Sequence, residues 1–190
     1  MKSFGQFLME AGGRPAGALE VHDTSAADAY AYAQKIFERN GKDIDEELPN
    51  FIQNYTIVQQ MANRYGKYRR KDMPVLNSAI IEQFIKSTQG SLMTVSVGEL
   101  RPVQKQMYFD RTIDKRGKGT LTTDKRFITT RTFVAARNFD LLDGHHRYLS
   151  GMLISPTLKV SVFRMSANTE QALEYALHYS DNIAKNTRNN

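Results

Sequence analysis

The hydrophobic pattern of this chain changes period once, at Gly90. Upstream, apolar residues recur every three or four positions, the spacing of one helix face. Downstream they alternate with polar residues, the spacing of a half-buried strand. The two periods require different local structure, so the chain reads as a helical N-terminal region over 1–90 and an α+β unit over 91–190.

Particular residues set the expected elements. Phe4, Phe7, Leu8 and Ala11 predict a first helix, broken by Gly12, Gly13, Pro15 and Gly17. Ser25 is placed to cap a helix over Ala26–Arg39, with Ala29, Ala33, Ile36 and Phe37 inward and Asn40-Gly41 as the stop. Phe51, Tyr55, Val58, Ala62 and Tyr65 predict a helix over Asn50–Tyr65. Asp72 and Pro74 predict the start of another, burying Leu76, Ala79, Ile80 and Phe84. After Gly90, the alternation of Met93, Val95 and Val97 and that of Leu158, Val160 and Val162 predict strands. Phe127–Val134 and Phe139–Leu142 read as two more. A helix is expected over His145–Ile154 and a last one over Thr169–Ile183, with Asn168 and Gln171 as a capping box.

Composition excludes several classes. With 41% hydrophobic residues in 190, the chain can build a core, and no apolar run approaches the ~20 residues of a membrane span. The absence of cysteine excludes disulfides and thiolate metal sites. Met1–Met9 lacks the pattern of a signal peptide, which gives a cytoplasmic expectation. Net charge is +6, all of it from the second half: residues 1–90 hold 11 basic and 11 acidic side chains, while 99–137 alone holds 10 and 4. Lys115, Arg116, Lys118, Lys125 and Arg126, around Gly117 and Gly119, read as a basic hairpin or loop able to follow a phosphate backbone.

Chemistry concentrates at Asp143-Gly144-His145-His146-Arg147, where a strand is expected to give way to a helix. Such a turn is an anion site: glycine permits a tight backbone, and the helix end offers free N–H groups and positive potential. Arg147 can bind two phosphate oxygens through its planar fork, and His145 or His146 can donate a further hydrogen bond. Adjacent histidines cannot share a helix face, so one at most points into the site. Asp143 can orient a histidine, hold a divalent ion or accept a proton. Neither a Gly-x-x-x-x-Gly-Lys-Ser/Thr loop, a dinucleotide fingerprint nor a Gly-x-Ser-x-Gly elbow is present. His22 and His178 have no zinc-ligand spacing with the pair.

Leu141-Leu142-Asp143-Gly144-His145-His146-Arg147-Tyr148 resembles the signature of the ParB/sulfiredoxin superfamily of ParB-like nuclease domains. Val95–Leu100 followed by Pro102-Val103-Gln104 resembles that family's first strand and its proline-x-glutamine or proline-x-glutamate step. The likeness spans about residues 92–182. It implies a mixed sheet with helices, with Gly144, His145, His146 and Arg147 contacting the phosphates of a nucleoside triphosphate (ATP or CTP) and Asp143 and Gln104 lining the pocket. Family activities include CTP-dependent DNA clamps, sulfinic-acid reductases, free-serine kinases and nucleases. Lack of cysteine removes the reductase chemistry. No helix-turn-helix follows the fold as it does in partitioning proteins. The kinases' glutamate is Gln104 here, which leaves Glu99 as the nearby candidate base. Met1-Lys2-Ser3-Phe4-Gly5-Gln6-Phe7-Leu8 resembles the opening of many tailed-phage proteins, which implies a host cytoplasm or a virion.

Three readings follow. The leading one is a ParB-like domain acting on or along nucleic acid, with any cleavage assigned to water on a Mg²⁺ ion at Asp143. The second is a small-molecule phosphotransferase using Asp143 or Glu99. The third is a non-enzymatic structural protein that assembles into oligomers through its helical first half.

Overall fold

The computed structural model describes residues 19–76, 78–113 and 125–186. The expected Ser3–Ala11 helix and most of the basic segment, including Lys115, Arg116 and Lys118, lie outside them. Eight α-helices accompany a five-stranded sheet among the described residues. Helix α1 (Ala26–Arg39) begins where Ser25 accepts the N–H of Asp28, and it buries the four predicted residues. A one-turn helix α2 (Ile44–Glu47) leads to α3 (Phe51–Tyr65), which buries Phe51, Tyr55, Val58 and Ala62 together with Asn54. Helix α4 (Ser78–Ser87) starts later than Asp72-Pro74 suggested, since Arg70–Asp72 forms a short 3-10 turn.

The sheet comprises β1 (Gly90–Ser96), β2 (Arg101–Pro102), β3 (Phe133–Ala135), β4 (Asp140–Asp143) and β5 (Lys159–Met165). Its order is β1-β5-β3-β4-β2. β5 runs antiparallel to β1 and parallel to β3, and β4 runs antiparallel to β3 and parallel to β2, so the sheet is mixed. Helices α5 (Phe109–Ile113) and α6 (Lys125–Thr129) lie between β2 and β3. The strand expected over Phe127–Val134 is therefore a short helix followed by a short strand. Thr129 and Thr130 return their hydroxyls to the carbonyls of Lys125 and Arg126, at 2.9 and 2.6 Å, and so support the helical turn. Helix α7 (His145–Ile154) follows β4 across one residue, and α8 (Thr169–Asn186) follows β5.

The central strands are covered on both faces. Val160 and Val162 of β5, Phe133 of β3 and Leu141 of β4 face α1, α3, α5, α6 and α7. Phe163, Met165, Val134 and Leu142 point the other way, onto α4 and α8. The first core joins residues from Leu19 to Val162, so α1, α2 and α3 share it with the sheet, while α4 shares the second. Edge-to-face contact between Tyr55 and Phe109, at 5.3 Å, fastens α5 to α3, and Asn54 donates to the carbonyl of Leu153 at 3.1 Å. These contacts tie α5 and the far end of α7 to α3, and α5 also packs directly on α7. Among the described residues, no helix is long and apolar enough to cross a membrane.

Candidate functional site

Strand β4 ends at Asp143 and α7 begins at His145, with Gly144 alone between them. Gly144 has φ +101°, and a Cβ there would lie 2.8 Å from the Phe133 ring and 3.0 Å from Arg147 Nη2. Glycine is thus needed for the turn itself and for the close approach of Phe133, not for the approach of a ligand. Gly144, the residue that precedes α7, has no side chain with which to cap its first turn. The N–H groups of that turn and the helix dipole create the positive potential expected there.

The two histidines part company, as helix geometry requires. His145 is 4% exposed, and its Nε2 accepts the backbone N–H of Gln104 at 3.1 Å. Burial, with the neighbouring His146 adding to it, pushes its pKa down to about 3. The ring is neutral at pH 7, and an accepting Nε2 leaves its proton on Nδ1. His145 therefore holds the β2 loop in place and is not a phosphate donor. His146 lies half-buried on the other side, its ring stacked on Tyr108 at 6.3 Å and its Nε2 3.4 Å from the Tyr108 N–H.

Arg147 is also turned inward. It donates to the carbonyl of Arg131 at 2.8 Å and lies 3.4 Å from the Thr132 carbonyl and from Asp143 Oδ2, with its guanidinium 4.4 Å from the Phe133 ring centre. Its fork is thus committed to bracing the turn. Asp143 faces Arg147 and accepts the N–H of Leu76; burial nevertheless pushes its carboxyl up, with Arg147 opposing the shift. Gln104 is buried, and its side-chain amide donates to the carbonyl of Gln106. That places it in the support of the site.

Glu99 does not reach the turn. Its neighbour Gly98 donates to Pro156, just past the far end of α7, and a ten-residue helix puts that about 15 Å away. Asp143 does not belong to a metal-holding group either: among the described residues, such a group forms at Glu20, His22 and Asp23. With one carboxylate already facing a guanidinium, the turn does not fit a protein-held Mg²⁺. Lys125 and Arg126 are exposed at the start of α6, which packs on α7.

Sequence reasoning missed part of the arrangement. Arg70 and Arg111 lie 5.6 and 4.7 Å from the centre of the Tyr108 ring that stacks on His146. Burial and the charge of Arg111 lower the pKa of Arg70, with Tyr108 opposing the shift. The available signal was the run Arg69-Arg70-Lys71, but its distance in sequence from the turn concealed its place. Gln106 makes the connection, accepting the Arg70 N–H at 3.2 Å while its carbonyl receives Gln104. No family model matches the chain, and no curated protein or solved structure matches it either.

Proposed function

We propose that the chain is a ParB/sulfiredoxin-like domain that binds nucleotide or nucleic-acid phosphates at the N-terminus of α7 and acts on or along nucleic acid. The observation that carries this reading is the juxtaposition of the glycine-led start of α7 with the cationic side chains of Arg70 and Arg111 around Tyr108 and His146. In this reading Gly144, His145, Arg147, Asp143 and Gln104 shape the turn. His146 and the first N–H groups of α7 meet the anion, and the arginines neutralise it. The proposal is one of binding: Asp143 is occupied by Arg147 and Glu99 is remote, so neither supplies a base beside a bound phosphate.

A thermal-shift panel of ATP, ADP, CTP and GTP, with and without Mg²⁺, tests the reading. A nucleotide at about 100 times its Kd stabilises the native state by about 2.7 kcal/mol, or about 5–10 °C for a chain of this size. The expected result is a triphosphate shift that His146→Ala reduces. No shift with any nucleotide, together with no binding of DNA or RNA at low salt, removes the proposal.

A further inference from the structure

We propose that the open edge of β1 joins a second copy of this chain, the two strands pairing antiparallel about a two-fold axis at Met93. The inference is independent of the phosphate reading.

The two edges of the sheet are built differently. β2 is two residues long, consists of Arg101 and Pro102, and is lined by the segment that follows α3. There the N–H groups of Lys67 and Tyr68 both donate to the carbonyl of Val103, at 2.8 and 3.0 Å, and Tyr68 receives the N–H of Lys105 at 2.8 Å. Shortness, a charge, a proline and a cover are the usual means of keeping an edge from pairing with another chain. Among the described residues β1 has none of them. It ends the strand order, runs for seven residues in regular register with β5, and contains neither a proline nor a bulge. Residues 87–98 carry no charged side chain, in a chain of which 24% is charged.

Hydrogen-bond parity fixes which groups of β1 are free. Val97 donates to the carbonyl of Leu158, and Ser166 donates to that of Gln89, each one step beyond the paired strands. Opposed residues of an antiparallel pair alternate between exchanging hydrogen bonds and facing away from each other. The odd-numbered residues of β1 therefore bond to β5. Gly90, Leu92, Thr94 and Ser96 turn their N–H and carbonyl groups outward, where no described residue meets them. The ligand that fits such a row is another strand.

Three features select a second copy as that strand. The row is self-complementary: with the axis at Met93, Gly90 faces the partner's Ser96 and Leu92 faces the partner's Thr94, so every outward group is paired. The apolar side chains at this margin are self-complementary too. Leu92 is 62% exposed and lies across from Phe163, on the α4–α8 side of the sheet. The same register brings the two copies of Leu92 together diagonally across the seam. Tyr175, 40% exposed, fringes the margin: its hydroxyl donates to the Ser87 carbonyl at 3.2 Å, and its ring lies 5.8 Å from Phe84, which packs on Phe163. Finally, the strand is uncharged, so two copies of a chain of net charge +6 set no like charges directly opposite each other. Pairing would join two five-stranded sheets into one continuous sheet.

Analytical ultracentrifugation of the full chain from about 1 µM to about 1 mM tests the assembly, and amide hydrogen exchange at both ends of that range locates it. The expected species is a dimer, with the Leu92 and Thr94 amides protected at the high concentration and open at the low one. Met93 and Val95, which bond to β5, should be protected at both. Thr94→Lys sets like charges across the seam and should raise the dissociation constant at least about tenfold. The side chain of Thr94 is exposed, so an unchanged melting temperature at low concentration separates lost pairing from misfolding. Thr94→Ser keeps the strand uncharged and should dimerise as the parent does. A monomer throughout overturns the inference, as do open-ended oligomers or a Thr94→Lys protein that dimerises like the parent. A dimer whose Leu92 and Thr94 amides exchange freely has its contact elsewhere and overturns it as well. Protection of those two amides in a monomer means that the chain covers its own edge, which also overturns it.

Discussion

His145 and His146 are neighbours in the chain, yet the first is 4% exposed and accepts the Gln104 N–H, while the second lies half-buried on Tyr108 beside two arginines. The inner side of the turn is closed: Asp143 faces Arg147, and Arg147 donates to backbone carbonyls. The outer side gathers Arg70 and Arg111 around the Tyr108 ring. One short turn therefore divides into a scaffold half and a half suited to anions. Damage inside should appear in stability, and damage outside should appear in binding.

The sharpest way to break that division is acid. His145 is held at about pKa 3 in the folded chain, against about 6.5 when unfolded. Below pH 6.5 the unfolded state takes up a proton that the folded state refuses. The contribution is therefore complete above about pH 6.5 and is lost as pH falls toward 3, by up to roughly 4 kcal/mol. Asp143 works in the opposite sense, because its raised pKa lets the folded state take up its proton first. At pH 7, His145→Ala should cost about 3 kcal/mol, since it opens a cavity and leaves a buried N–H unpaired. Urea unfolding of both proteins from pH 7 to 4 should show the gap between them closing. A gap that stays constant means that His145 is not the buried neutral anchor described here.

Gly144→Ala comes next, at about 2 kcal/mol. Alanine at φ +101° is strained, and its Cβ would press on Phe133 and Arg147. Denaturation midpoints measure the loss. A neutral substitution would show that the turn can relax, and that Gly144 is there for a ligand after all.

These positions also show what could be read in the sequence. Helix α1 was legible to the residue because its signals are local: the Ser25 cap, the four buried positions and the Asn40-Gly41 stop. The β4–turn–α7 junction was legible for the same reason. The start of α4 was not. The N–H of Leu76, expected inside that helix, is used by Asp143, a partner far along the chain. Helix α6 was hidden because β-branched residues there pack against α7 and β5, and tertiary context overrode their propensity. Within the site, the motif could be read, but the inward turn of Arg147 could not, since it depends on carbonyls sixteen and fifteen residues away. The Arg70–Tyr108–Arg111 cluster needed the whole fold.

The smallest expected effect decides most about function. His146→Ala should change stability by no more than about 0.5 kcal/mol, because the ring is half-buried and its hydrogen bond to Tyr108 is long at 3.4 Å. Binding should respond more. Without the ring, Tyr108 loses the surface it stacks on and the helix end loses a polar side chain beside the cations. A melting curve paired with a nucleotide titration reads both quantities on one protein. Weakened binding with an unchanged melting temperature places His146 on the ligand side. A stability loss comparable to that of His145→Ala would make both sides scaffold and move the anion site away from α7.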